Sequence, residues 1–102
     1  MLERDFSTKV IKKLRISFLG HWRKQPASRF GTAGVADIIG LIDGRYIEIE
    51  LKQPGKYEDP LGGCTKLQVE HGEEVIANGG IWLCGDDWDE IKAALFGAIG
   101  SL

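Results

Sequence analysis

The chain has 102 residues, 43% hydrophobic and 27% charged, with a formal net charge of −2. Those values describe an ordinary globular protein with one core, here a single domain over residues 1–102. No apolar run approaches the roughly 20 residues that cross a bilayer. The charged start Met1-Leu2-Glu3-Arg4-Asp5, with no apolar stretch behind it, predicts neither a signal peptide nor a membrane partner.

The charge is unevenly spread. Residues 1–30 carry eight basic side chains (Arg4, Lys9, Lys12, Lys13, Arg15, Arg23, Lys24, Arg29) against Glu3 and Asp5, whereas the other 72 carry five basic and 13 acidic ones. A basic first third in an acidic chain suggests a face that meets polyanions; the alternative is a solvated helix face that happens to carry lysines. The two cysteines, Cys64 and Cys84, match no zinc spacing. They read as two reduced thiols with Cys84 in the core, which predicts a cytoplasmic protein.

In chain order, residues 2–19 predict a helix: Leu2, Phe6, Val10, Leu14 and Phe18 recur every four residues, and Ile11 widens the stripe. Gly20 ends it. His21-Trp22-Arg23-Lys24 reads as a short strand stopped by Pro26, and residues 25–34 as a loop. A hairpin of strands 35–42 and 46–52 follows. Residues 53–64, with Pro54, Gly55, Pro60, Gly62 and Gly63, form a long loop of the kind that is often functional. Thr65-Lys66-Leu67-Gln68 is a capping box that opens a helix to about Asn78, closed by Gly79-Gly80. Residues 81–84 form a buried strand. Asp87-Trp88-Asp89-Glu90 is a second capping box, opening a helix to about Ile99. The order α-β-β-β-α-β-α predicts an α/β fold, a mixed sheet with helices on its faces.

The hairpin carries the chemistry. Asp43-Gly44 is a strong two-residue turn signal between apolar runs. With those two residues in the turn, Ile42 faces Arg45, Leu41 faces Tyr46, Ile39 faces Glu48 and Asp37 faces Glu50. A four-residue loop about the same bond gives the same pairs; a three-residue loop shifts them by one and separates the acids. Ile47, Ile49 and Leu51 then share one face, and Glu48, Glu50 and Lys52 the other. Facing acids stand about 4.5–5.5 Å apart at Cβ and destabilise a sheet unless a positive group lies between them. A hard divalent cation such as Mg²⁺ fits that role, since it takes oxygen ligands and usually one or two carboxylates. The competing reading is a half-exposed hairpin with solvated charges. Glu48, opposite Ile39, reads as an edge-of-site acid or salt-bridge partner rather than a ligand. His71 reads as a surface residue and Trp22 as core.

These residues together resemble the PD-(D/E)XK nuclease superfamily and, within it, the virus-type replication-repair nuclease (VRR-NUC) domain. The residues that match are Glu3 in the first helix, Gly34-Val35-Ala36-Asp37 with Ile38-Ile39-Gly40, Ile49-Glu50-Leu51-Lys52, Gln68, and Gly79-Gly80 before the last strand. Ala36 departs from the proline that the family often has. The match covers about four fifths of the chain.

The resemblance implies an α-β-β-β-α-β core and Mg²⁺- or Mn²⁺-dependent hydrolysis of DNA phosphodiesters. Asp37, Glu50 and the backbone carbonyl of Leu51 would hold the metal, with Glu3 as an outer or second-metal ligand. Lys52 would position a water or stabilise charge on the phosphate, and Gln68 would orient that water, Lys52 or a backbone phosphate. Without a site role, Glu3 is an acid favoured by the helix dipole and Gln68 the capping partner of Thr65. Lys9, Lys12, Lys13, Arg15, Arg23, Lys24, Arg29 and Lys56 would meet phosphates without reading sequence. Small stand-alone members look like phage or prophage proteins acting on branched DNA as homodimers, and a two-fold protein suits a four-way (Holliday) junction. No small-molecule substrate is implied. The alternatives are a junction- or end-binding protein with little cleavage, an RNA-directed nuclease on the same fold, and a structural partner in a replication complex.

Overall fold

The computed structural model describes residues 3–25, 36–52 and 64–100, with side chains from Phe6 onward in the first segment. Three helices and four strands follow in the order α1 (Glu3–Ser17), β1 (His21–Lys24), β2 (Ile38–Ile42), β3 (Arg45–Leu51), α2 (Lys66–Ala77), β4 (Ile81–Gly85) and α3 (Trp88–Gly100). The strands form one sheet in the order β1-β2-β3-β4. β1–β2 and β2–β3 are antiparallel and β3–β4 is parallel, so the sheet is mixed. The protein is thus an α/β protein whose layout is compatible with an α-β-β-β-α-β core. Among the described residues no helix is long and apolar enough to cross a membrane.

The hairpin register is the one that Asp43-Gly44 predicts. Asp43 (φ 48°) and Gly44 (φ 82°) both have positive φ, as a two-residue type I′ turn requires. Ile42 pairs with Arg45, Ile39 with Glu48 and Ile38 with Ile49. The ladder stops there rather than at residue 35. On the β1 side Asp37 still accepts from Gln25 N–H (2.7 Å), in register with the Lys24–Ile38 pair, while on the β3 side its carboxylate takes the Leu51 N–H. α1 ends at Ser17, two residues before the expected limit, although Phe18 N–H still bonds the Leu14 carbonyl.

Register assigns the sheet faces. Trp22, Gly40, Ile47 and Ile81 lie across from one another on one face, and Arg23, Ile39, Glu48 and Trp82 on the other. The first face is the core: Phe6, Val10, Ile11, Leu14 and Phe18 of α1 and Ile91 and Leu95 of α3 pack on Ile38, Ile42, Ile47, Ile49, Leu51 and Ile81. Trp22 is buried there, as expected. α2 covers the second face at β3 and β4. It comes so close that a Cβ on Gly72 would stand 2.2 Å from the Trp82 ring.

The cysteines correct an expectation. Cys64 and Cys84 are joined by a disulfide and are not reduced thiols. Linear spacing does not reveal this, because the contact is tertiary: Cys64 immediately precedes the α2 cap, and α2 lies against β4, which carries Cys84. A cytoplasmic location therefore no longer follows from the cysteines.

Two glycines test this packing in opposite directions. A Cβ on Gly40 would stand 2.3 Å from the Trp22 ring, whereas one on Gly97, in α3, meets nothing within 4 Å. Gly40→Ala should cost about 1–3 kcal/mol through overpacking. Gly97→Ala should gain about 0.5–1 kcal/mol through helix propensity. Urea unfolding of both variants measures the two shifts.

Candidate active site

Burial on both faces makes β3 unusual for a strand carrying acids. Glu48 is 2% exposed and Glu50 4%. A buried carboxylate is costly unless donors surround it, and α2 supplies them. Gln68 and His71, three residues apart, sit on one face of the helix. They meet Glu50 and Glu48, two residues apart on one face of the strand.

Gln68 is the hub. Its Nε2 donates to Glu50 Oε1 (2.9 Å), and its Oε1 accepts from Lys52 Nζ (2.7 Å) and from Thr65 N–H (2.8 Å). Its own N–H donates to Thr65 Oγ1 (3.1 Å), completing the capping box. The capping box expected of Gln68 is present, and the same side chain also bonds Glu50 and Lys52. Lys52 Nζ also lies 3.7 Å from Glu50 Oε1. Asp37 joins through the backbone: its Oδ2 accepts from Leu51 N–H at 2.8 Å, taking the ladder bond that an extended β2 would have made. Asp37, Glu50, Leu51, Lys52 and Gln68 are therefore one connected group at the end of β3.

The donor set at this place is all oxygen: the carboxylates of Asp37 and Glu50 and the carbonyl of Leu51. That chemistry fits Mg²⁺ or Mn²⁺ and not a soft metal. Among the described residues no three His, Cys, Asp or Glu side chains cluster as a metal site. A Mg²⁺ site does not require three, since one or two carboxylates with waters and substrate phosphates usually suffice.

A second cluster adjoins the first. Glu48 Oε1 lies 2.8 Å from His71 Nε2 and accepts from Ala36 N–H (3.4 Å), while Oε2 accepts from the Tyr46 hydroxyl (2.5 Å). His71 is thus half-buried and bonded across elements, not the surface residue that its acidic helix suggested. Glu48 is paired with His71, as the salt-bridge reading expected, but it is fully enclosed and not at the edge of the site. The missed signal was spacing: His71 follows Gln68 by three as Glu48 precedes Glu50 by two. Tyr46 and His71 also line a groove of about 440 Å³ with Glu74, Val75, Asn78 and Gly80. Partial burial, then the hydrogen bond to Glu48 and the Glu48 charge, push the Tyr46 phenol up to about 12.

The remaining expected residues are spread around the sheet. Lys9, Lys12 and Arg15 are exposed on α1, across the sheet from Glu50. Lys13 stacks over Trp88 (5.8 Å), and Arg15 donates to the Trp22 carbonyl (3.3 Å). Arg23 and Lys24 are exposed on β1, and only Arg23 shares the face of Glu48. Glu3 opens α1, but its side chain lies outside the described residues, as do Arg29 and Lys56.

No family model matches the chain. A stretch of 40 residues is 45% identical to the human voltage-dependent T-type calcium channel subunit alpha-1I, covering 39% of this chain and 2% of the channel. The chain therefore spans a small fraction of that relative, and a match of this extent carries neither fold nor activity to it.

Ultraviolet titration tests the Glu48 cluster. One tyrosine should ionise near 12, and Glu48→Gln should bring it down toward the ordinary value of about 10. The raised value means that the folded form holds its proton longer than the unfolded one. The associated stability is complete below about pH 10 and lost as pH rises towards 12. Two tyrosines that both ionise near 10 would contradict the cluster.

Proposed function

We propose that this protein is a metal-dependent DNA endonuclease of the PD-(D/E)XK type, resembling the VRR-NUC domain, acting on branched DNA such as four-way junctions. The observation that supports this best is the arrangement at the end of β3. Gln68 ties Glu50 to Lys52, and Asp37 is anchored on the N–H of the intervening Leu51. A buried acid, a second acid and a lysine on one strand end form an oxygen donor set beside a single positive charge, which suits phosphodiester hydrolysis.

Asp37, Glu50 and the Leu51 carbonyl would hold Mg²⁺ or Mn²⁺. The bound metal would supply Lewis acidity and lower the pKa of a coordinated water. Gln68 fixes the Glu50 carboxylate by its amide and holds Lys52 by its carbonyl oxygen, so neither group swings away from the strand end. Lys52 places a positive charge where a phosphate gathers negative charge in the transition state. Glu3 is the proposed outer or second-metal ligand. Lys9, Lys12, Lys13, Arg15, Arg23, Lys24, Arg29 and Lys56 are the proposed phosphate contacts, and binding is structure-selective rather than sequence-specific. A homodimer completes the proposal, since two copies place two sites on the symmetric strands of a junction.

Asp37→Ala and Glu50→Ala should each abolish Mg²⁺-dependent cleavage of a synthetic junction while fluorescence anisotropy still shows DNA binding. An active Asp37→Ala would overturn the assignment. Arg23, on the face of the site, separates two DNA paths. Arg23→Gln should lower the slope of log affinity against log salt by about 1. An unchanged slope would place the DNA away from β1.

A further inference from the structure

The Cys64–Cys84 disulfide sits where the candidate site depends most on contact between separate elements. Cys64 directly precedes Thr65, the N-cap of α2. Cys84 is the β4 residue paired with Glu50. The covalent link, the capping box and the three side-chain bonds of Gln68 therefore converge on one helical turn beside the buried acid.

Among the described residues, that turn has little else to hold it. Thr65, Lys66 and Leu67 are exposed and Gln68 is only partly buried, whereas Cys64 is 3% exposed. Further along, α2 has anchors of its own in the His71–Glu48 bond and the close approach of Gly72 to Trp82. Neither cysteine belongs to the apolar cluster beneath α1 and α3. Loss of the disulfide therefore removes the tether of the first turn and leaves the core and the rest of α2 in place. A segment with few buried apolar contacts opens locally at low cost.

We propose that the Cys64–Cys84 disulfide is a redox latch on the candidate site: reduction frees the first turn of α2 and withdraws Gln68 from Glu50 and Lys52. The loosening stands on this geometry alone; only its effect on DNA cleavage rests on the nuclease reading. The reductant is a dithiol. Its thiolate attacks one sulfur, the S–S bond breaks and a mixed disulfide forms; its second thiol then displaces the protein sulfur. Two electrons and two protons pass to Cys64 and Cys84, which end as thiols, and the dithiol leaves as its own disulfide. Reoxidation restores the link and the cap.

Amide hydrogen exchange of the full chain, oxidised and after dithiothreitol, tests the latch. On reduction the amides of Gln68 and Val69, which bond to Thr65, should lose protection by about tenfold or more, with the β2–β3 ladder unchanged. Junction cleavage should fall on the order of 100-fold. The double variant Cys64→Ser/Cys84→Ser should match the reduced protein and ignore dithiothreitol. Equal protection in both redox states would overturn the latch. So would loss of protection throughout the sheet, since the disulfide would then brace the whole fold. If protection changes as expected but neither redox state cuts DNA, the latch stands and the nuclease reading falls.

Discussion

Two carboxylates enclosed between a sheet and a helix set the terms for this structure. Removing Glu48 and Glu50 from water is costly, and each must recover that cost through hydrogen bonds in a dry environment. Among the described residues, their partners come from three parts of the chain. α2 brings Gln68 and His71 across, the alternation of β3 brings Tyr46 and Lys52, and the segment entering β2 brings the Ala36 amide. Displacing α2 by one turn would leave both acids without their helix partners. The seating of α2, with Gly72 against Trp82 and the disulfide at its first turn, is therefore a condition for the buried acids.

The same constraint separates the two faces of the sheet by role. Beneath α1 and α3 the packing is apolar and continuous, and it supplies the hydrophobic part of the stability. Under α2 the packing is polar and directional. A hydrogen-bonded network of this kind is worth little net stability, but it fixes side-chain positions. Fixed positions are what a hydrolytic site needs, because groups that are already oriented lose no freedom when charge develops on the substrate. This is the physical basis for the proposal that the end of β3 is a catalytic site.

Much of this was legible in the sequence because local chemistry and tertiary structure agree. Asp43-Gly44 selects a two-residue turn, and the turn alone dictates that Ile39 meets Glu48. The stripe of Phe6, Val10, Leu14 and Phe18 becomes the buried face of α1, and Thr65 with Gln68 forms the expected capping box. What escaped was set by contacts between distant elements. Alternation along β3 tells which residues share a face but not whether a helix covers it, so the burial of Glu48 is not legible in the sequence. His71 sits among Glu70, Glu73 and Glu74, and only the partner across the sheet reveals its role. The Cys64–Cys84 bond depends on where α2 docks, which residue spacing does not encode.

The central claim is that Asp37 and Glu50, held by Leu51 N–H and Gln68, form one divalent-cation site. Isothermal titration calorimetry with Mn²⁺ on the DNA-free oxidised protein tests it without any substrate. Saturable binding is expected, which Asp37→Asn and Glu50→Gln each abolish and Lys12→Gln leaves unchanged. Saturable binding that survives both carboxylate substitutions, or no saturable binding in the unsubstituted protein, would contradict it.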